Sequence, residues 1–512
     1  NLNSIVTSGD SAYGMYAVNN SFVGNFGGGT IETGGDGSHG MFAEDHSRAV
    51  NTDTVITSGN GSHGMFALGD SRAINKGKVD TDGNDAFGMY ALGSSKAINK
   101  GLVMTSGRRS VGIKAEDGSF GLNLGNVITE GRRGHGMLAF KDSEVRNEGT
   151  IETFGENAHG MVARNNSRAF NLNSIVTSGD SAYGMYAVNN SFAGNFGDGT
   201  IETKGYGSHG MFAEDHSRAV NTGTVVTHGD GAFGMYALNN SFVGNFSSDT
   251  VETWGAGSHG MVAEDYSTAV NTGKVVTHGP GAYGMYALND SFVGNFSGGV
   301  VRTWGEGSHG MVASDDSRAV NTGRVATRND DSYGMYALND SFVGNFGDGV
   351  VRTWGERSHG MAAEDHSRAV NTGTVVTRGD NAFGMVAEDH SRAVNTGKVV
   401  THGPGSIGMY ALDDSFVGNF SGGVVRTWGE GSHGMMAEFN STAVNKGKVV
   451  TRNNDAFGMY AAHNAKAFND GEVETVGDGS HGMRASGGSE VHNLGSGTVT
   501  TGGEKAHGMY AE

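Results

Sequence analysis

The chain has 512 residues, of which 89 are glycine, 2 are proline and none is cysteine. This excludes a disulfide scaffold and Cys-ligated zinc, and glycine without a strict three-residue period excludes collagen. The formal net charge is −19, with no Lys/Arg run longer than the "GRR" at 107–109 and 131–133. Nucleic acid therefore has no electrostatic footprint, and no apolar run is long enough to span a membrane.

Glycine marks a period from the N-terminus onward. The Gly of a "GM" step stands at Gly14, Gly40, Gly64 and Gly88, and recurs to Gly508 at spacings of 24 or 26 residues only. There are 21 such markers, with Ile113 replacing Met once. Residues 1–22 are identical to residues 171–192, and between 184 and 384 the two lengths alternate. A fixed period in this range signals a solenoid. The sequence opens at Asn1 and closes at Glu512 inside repeats. Residues 1–512 thus read as one continuous segment of a longer repeat protein, truncated at both ends.

One unit, "GMFAEDHSRAVNTGTVVTHGDGAF" from 210, divides into "GMFA", "SRAVN" and "TVVTH" with turn-rich connections. Alternating character and β-branched content predict three short strands per unit, and glycine at this density excludes helical repeats. The expectation is an all-β, right-handed parallel β-helix of about 21 coils, stacked ~4.8 Å apart into a rod of roughly 100 Å. Far-UV circular dichroism should accordingly show β structure and less than about a tenth helix.

Counted from the marker, Met at position 1 and Ala at position 3 should point inward, with the variable residue at position 2 pointing out. Asn fills position 11 in every complete unit, including Asn25, Asn51, Asn75, Asn221, Asn271, Asn321, Asn371 and Asn445. A buried row of this kind would pass side-chain hydrogen bonds from coil to coil. His precedes the marker at eleven coils, among them His39, His63, His309 and His359, and alternates there with Tyr, Phe, Val or Ile. That exchange predicts ring stacking rather than metal coordination.

"GEGSHG" at 305–310 fits a dinucleotide-binding fingerprint, yet related forms recur at 35–40, 205–210, 255–260 and 429–434. A nucleotide turn occurs once per site. The expectation is a coil corner whose glycines supply positive φ. "GGDGSHGMF" at 34–42 approaches a calcium repeat but has His39 where Asp is required, and the "AEDHS" turns read as solubilising. No cofactor or metal is predicted.

The unit "GMFAEDHSRAVNTGTVVTHGDGAFGMYA" resembles repeats in the passenger regions of type V autotransporter adhesins, most of all the large fusobacterial outer-membrane ones. The resemblance covers essentially all of 1–512. It implies a β-helix secreted through the outer membrane and displayed as an adhesive stalk, anchored by a barrel outside this segment. Its partners would be a receptor or glycan on a host or bacterial surface.

Two other functions compete. A polysaccharide lyase or hydrolase needs one non-repeating constellation, whereas nearly every acid here has copies at its own position. The least regular stretch, 107–149, brings Arg108, Arg109, Lys114, Arg132 and Arg133 together as a candidate anionic-glycan patch without an acid–base pair. A self-assembling filament is the other possibility. The outward second-strand residues include Phe242, Phe292 and Phe342, which would form an exposed apolar strip unless they fold over the local turn beneath Arg stems. With Tyr236, Tyr286 and Tyr336 at position 2, and Trp254, Trp304, Trp354 and Trp428 beside the corner, they make up the candidate interaction surface.

Overall fold

In a computed structural model that describes residues 1–247 and 249–512, short alternating segments become strands of three to six residues, and the described residues contain no helix. The chain is an all-β parallel β-solenoid with three strands per coil and about 21 coils. It comprises two compact units, Asn1–Gly255 and Ala256–Glu512.

In unit 1 a representative coil runs through Met41–Glu44, Arg48–Asn51 and Thr54–Thr57. Each strand pairs in parallel with its counterpart one coil on, in strict register: Met41 with Met65, Asn51 with Asn75, Val55 with Val79. Unit 2 repeats the arrangement through Met311–Ser314, Arg318–Asn321 and Arg324–Thr327. There Met311 faces Met335, Asn321 faces Asn345 and Thr327 faces Thr353. Three parallel sheets result in each unit, with like residues stacked on like.

The core is correspondingly thin. Met41, Ala43, Ala49 and Val55 are fully buried in one coil, as are Met311, Ala313 and Ala319 in another. Methionine, flexible and unbranched, fills the narrow space that the small alanines leave.

The two coil lengths differ only in the corner between the second and third strands. In a 24-residue coil two residues separate Asn321 from Arg324, and Asn321 Nδ2 donates to the Gly323 carbonyl at 3.3 Å. In a 26-residue coil four residues separate Asn295 from Val300, and Asn295 Nδ2 donates to the Gly299 carbonyl at 3.3 Å. The same amide therefore closes both corners.

The glycines of "GEGSHG" correct the positive-φ expectation for two positions of three. Only Gly307 has φ in the left-handed region, at 63°. Asp331 and Arg357 adopt similar angles at the same place in other coils, so glycine is optional there. At Gly305 a Cβ would strike the Gly279 carbonyl, and at Gly310 it would strike Val325 Cγ1 and the Gly334 carbonyl. These two glycines serve close packing between coils.

Candidate interaction surface

The asparagine row lies inside the solenoid wall. In unit 1, Asn25 Nδ2 donates to Asn51 Oδ1 and Asn51 Nδ2 to Asn75 Oδ1, both at 2.9 Å, and Asn195 Nδ2 reaches Asn221 Oδ1 at 2.8 Å. In unit 2, Asn271 donates to Asn295, Asn295 to Asn321, Asn345 to Asn371, and Asn419 to Asn445, each at 2.8 Å. All these asparagines are fully buried. Their hydrogen-bonding capacity is spent within the wall, leaving none for a ligand.

The outer face of the first sheet is less open than strand alternation implies. Position 2 does face outward, but Phe42, Phe212, Val262 and Val312 are buried there. The cover is the neighbouring row of rings just before the marker glycine. His209 stacks on Phe233 at 4.8 Å and meets Tyr236 edge-on at 5.4 Å, while Phe212 stacks on Tyr236 at 4.8 Å. In unit 2, His259 meets Tyr286 edge-on at 5.6 Å, and Tyr333 packs on Tyr336 at 4.5 Å. The Tyr336 hydroxyl donates to Glu364. Burial, then that carboxylate, raises its pKa, and burial pushes Tyr286 up to about 12. Tyr236, Tyr286 and Tyr336 are thus half-buried members of a closed double row.

The histidines in this row are uncharged acceptors. The Tyr333 backbone N–H donates to His309 Nδ1 at 3.1 Å, and Phe383 does the same to His359 at 3.0 Å. Burial holds His259, His309, His359 and His433 down to about 4. Among the described residues no group of three or more His, Asp or Glu is placed to hold a metal ion.

This row makes stability pH-dependent. The folded pKa lies below the ordinary histidine value of 6.5, so the folded state binds fewer protons than the unfolded one on acidification. The stabilisation is complete above about 6.5 and is lost progressively as pH falls to about 4. Thermal melting across that window should drop steeply. His309→Phe with His359→Phe and His433→Phe, borrowing the ring used at Phe383, should flatten the profile; an unchanged slope would place the titration elsewhere.

On the second sheet the phenylalanines fold over the chain. Phe242 lies 6.4 Å from Phe246, Phe292 is 6.4 Å from Phe296, and Phe342 is 6.3 Å from Phe346. Each pair brackets a glycine, such as Gly344, whose Cβ would collide with both rings. Arg218 covers Phe242 at 5.1 Å and Arg318 covers Phe342 at 5.3 Å. The exposed apolar strip is therefore replaced by separate half-buried clamps, those of Phe242 and Phe342 beneath guanidinium groups.

The basic stretch 107–149 is largely neutralised. Arg109 pairs with Asp85 at 2.6 Å, Arg132 with Glu156 at 2.9 Å, and Lys114 with Glu116 at 2.7 Å. Lys114 also lies over the Phe87 and Tyr90 rings.

The tryptophans are the exposed members of the set. Trp254, in unit 1, is 48% exposed; in unit 2, Trp304 is 36% and Trp428 38% exposed, while Trp354 is half-buried. Arg328 lies between Trp304 and Trp354, at 4.5 and 5.2 Å from their rings. His278 stacks on the other face of Trp304 at 6.5 Å. Arg452 and His402 flank Trp428 at 5.0 and 6.4 Å. The faces of Trp304 and Trp428 are occupied by neighbouring coils, and their edges meet solvent.

Sequence reasoning missed the cations beside these rings. Arg302, Arg352 and Arg426 stand at the outward centre of the third strand, where unit 1 has Glu32, Glu152 and Glu202. The change from "IETKG" at 201–205 to "VRTWG" at 301–305 was the available signal. It is dispersed one residue per coil and forms no run.

The family described as BigA third pectate lyase-like domain matches residues 1–126, 41–195, 112–246, 234–358, 343–420 and 404–512, overlapping matches that together span the sequence. No curated protein matches the chain. Among solved structures, a chain of the cryo-EM structure of the Vag8-C1 inhibitor complex is 15% identical over 100% of both chains. Its TM-score of 0.33 carries no argument. By the breadth of the family match, the chain belongs to the family of the BigA third pectate lyase-like domain.

Proposed function

We propose that this chain is the extracellular, surface-displayed β-helical passenger of an autotransporter-type protein, serving attachment rather than catalysis. The repeat pattern, which resembles that of the large fusobacterial passengers, supports this reading, and family membership agrees with it. Anchoring would fall to an outer-membrane barrel beyond residues 1–512, and the partner would be a surface receptor or glycan. The carrying observation is a repeated scaffold whose inner polar rows are self-satisfied and whose outer rings are mostly covered, leaving the edges of Trp304 and Trp428 exposed. Catalysis requires a singular site, whereas acids such as Glu214, Glu264 and Glu364 recur at one position in different coils.

Beads coated with the 512-residue protein should attach to cells, and soluble protein should compete; no attachment across several cell types would refute the reading. Self-assembly is tested separately by sedimentation. With the phenylalanines clamped over glycine, the protein should be monomeric at micromolar concentration. Phe242→Ser with Phe292→Ser and Phe342→Ser should leave that state unchanged. Fibres lost in the triple variant would restore the filament.

A further inference from the structure

The two units carry opposite charges on the outer face of the third sheet. In unit 1 the outward central residues include Glu32, Asp80, Glu152, Glu202 and Glu252. In unit 2 the third strands and their following residues between 300 and 452 contain no acid. Arg302, Arg352 and Arg426 occupy the central column there. Arg324 and Lys398 stand in the column before it, and Arg328, Arg378 and Arg452 in the column after. The protein is strongly acidic, yet this face is uniformly basic.

Register keeps the cations apart while adding their fields. Arg302 is paired with Ala326, and Ala326 with Arg352. Arg324 is paired with Val350, and Lys398 with Val424. Like charges are therefore not directly opposed, which removes the cross-strand penalty. Central-column cations recur at alternate coils or wider, about 10 Å or more apart at the strand spacing of a sheet.

These cations are unspent. Among the described residues none of Arg302, Arg324, Arg352, Arg378, Lys398 and Arg426 lies within ion-pair distance of a carboxylate, whereas cations elsewhere in unit 2 do pair, such as Arg357 with Asp331 and Lys448 with Glu472. Glu472 and Glu474 close the basic strip at one end. Arg426 Nε is buried without a hydrogen-bond partner. Beside it runs a groove of about 370 Å³ lined by Thr372, Thr374, Lys398 and Arg426. Guanidinium groups presented in this way are matched by bidentate oxyanions.

We propose that the third-sheet face of unit 2 binds a linear polyanionic glycan, its sulfate or carboxylate groups received by Arg302, Arg324, Arg352, Lys398 and Arg426. The choice of a glycan rests on the extracellular reading above. The rings argue in the same direction. Single-stranded nucleic acid binds by stacking bases on open aromatic faces. Here Arg328 and His278 occupy the faces of Trp304, so the indoles orient cations and offer no platform.

The test uses the whole 512-residue protein with a heparin-derived oligosaccharide, hyaluronate of similar length and a dT oligonucleotide of similar charge. One saccharide or both should bind at physiological ionic strength, with affinity falling as salt rises; which one binds identifies sulfate or carboxylate as the ligand group. Arg302→Glu with Arg352→Glu and Arg426→Glu should weaken binding roughly tenfold or more. Unit 1 carries glutamate at the same place, so this variant has a folded precedent. Arg318→Glu with Arg368→Glu and Arg392→Glu, on the second sheet, makes the same net charge change and should retain binding. Glu144 is its precedent.

The proposal is overturned if the wild type binds neither saccharide, if the third-sheet variant binds as well, or if the second-sheet variant loses as much. Tighter binding of dT than of either saccharide would overturn it in favour of nucleic acid. Self-association lost only in the third-sheet variant, without saccharide binding, would assign the face to a second copy. Bead attachment retained by the third-sheet variant would end this proposal while leaving the attachment function standing.

Discussion

Gly310→Ala is expected to disrupt the coils on either side of it, although it adds only one methyl group. That methyl would enter the space of Val325 Cγ1 and of the Gly334 carbonyl, and the latter belongs to backbone held by the next coil. The Met311 N–H donates to the Gly334 carbonyl at 3.0 Å, so moving away breaks the inter-coil ladder. Overpacking of this kind costs about 3 kcal/mol or more when rigid backbone is the obstacle. Hydrogen exchange should report it as lost protection centred on residues 300–340, since each coil leans on its neighbours. Gly307→Asn is the contrast. Its φ is positive, but a Cβ there meets nothing within 4 Å, and Asp331 takes the same conformation elsewhere. Its effect should stay within about 0.5 kcal/mol. Equal effects from both substitutions would mean that coil packing is looser than described.

Asn321→Ala should be the costliest loss of a side chain's polar contacts. Asn321 accepts from Asn295 at 2.8 Å and from the Gly323 N–H at 3.2 Å, and donates to Asn345 at 2.7 Å. Alanine leaves the Gly323 N–H and Asn345 Oδ1 without these partners in a dry wall. Each stranded group costs about 1–3 kcal/mol. Asn321→Asp keeps the shape but cannot donate when ionised, and it places a charge where no cation pairs with it. Its defect should exceed that of alanine at neutral pH and shrink on mild acidification, as the carboxyl regains a proton to donate. A neutral result for both would show that the amides are wetted.

Sequence reading succeeded where one coil's contacts repeat in the next. Met, Ala, Val or Ile, and Asn face the interior from coil to coil, so burial imposes like residues at a fixed interval and the period is plain. It failed where a contact depends on the neighbouring coil. Outwardness at Phe212 was legible, but its burial was not, because the cover comes from the adjacent aromatic rows. The clamp of Phe342 and Phe346 over Gly344 depends on a longer corner whose conformation the spacing leaves open. The glycines flanking "EGSH" looked like turn residues, whereas the atoms that require them lie one coil away. The stretch around Arg109 read as a basic cluster because its acids, Asp85 and Glu156, lie outside it in sequence. Conversely, Arg302 and Arg352 were separated by 50 positions and escaped notice, although they belong to one sheet face.

The asparagine amide reaches the second residue onward in a short corner and the fourth in a long one, while its bond to the next coil stays at 2.7–2.8 Å. Corner length is thereby uncoupled from propagation of the stack. Unequal exchange between identical stretches such as 1–22 and 171–192 would add or remove whole coils, and the new junction would be an ordinary neighbour pair. Coil number then becomes a quantity that recombination can change in whole steps, without inventing a new interface.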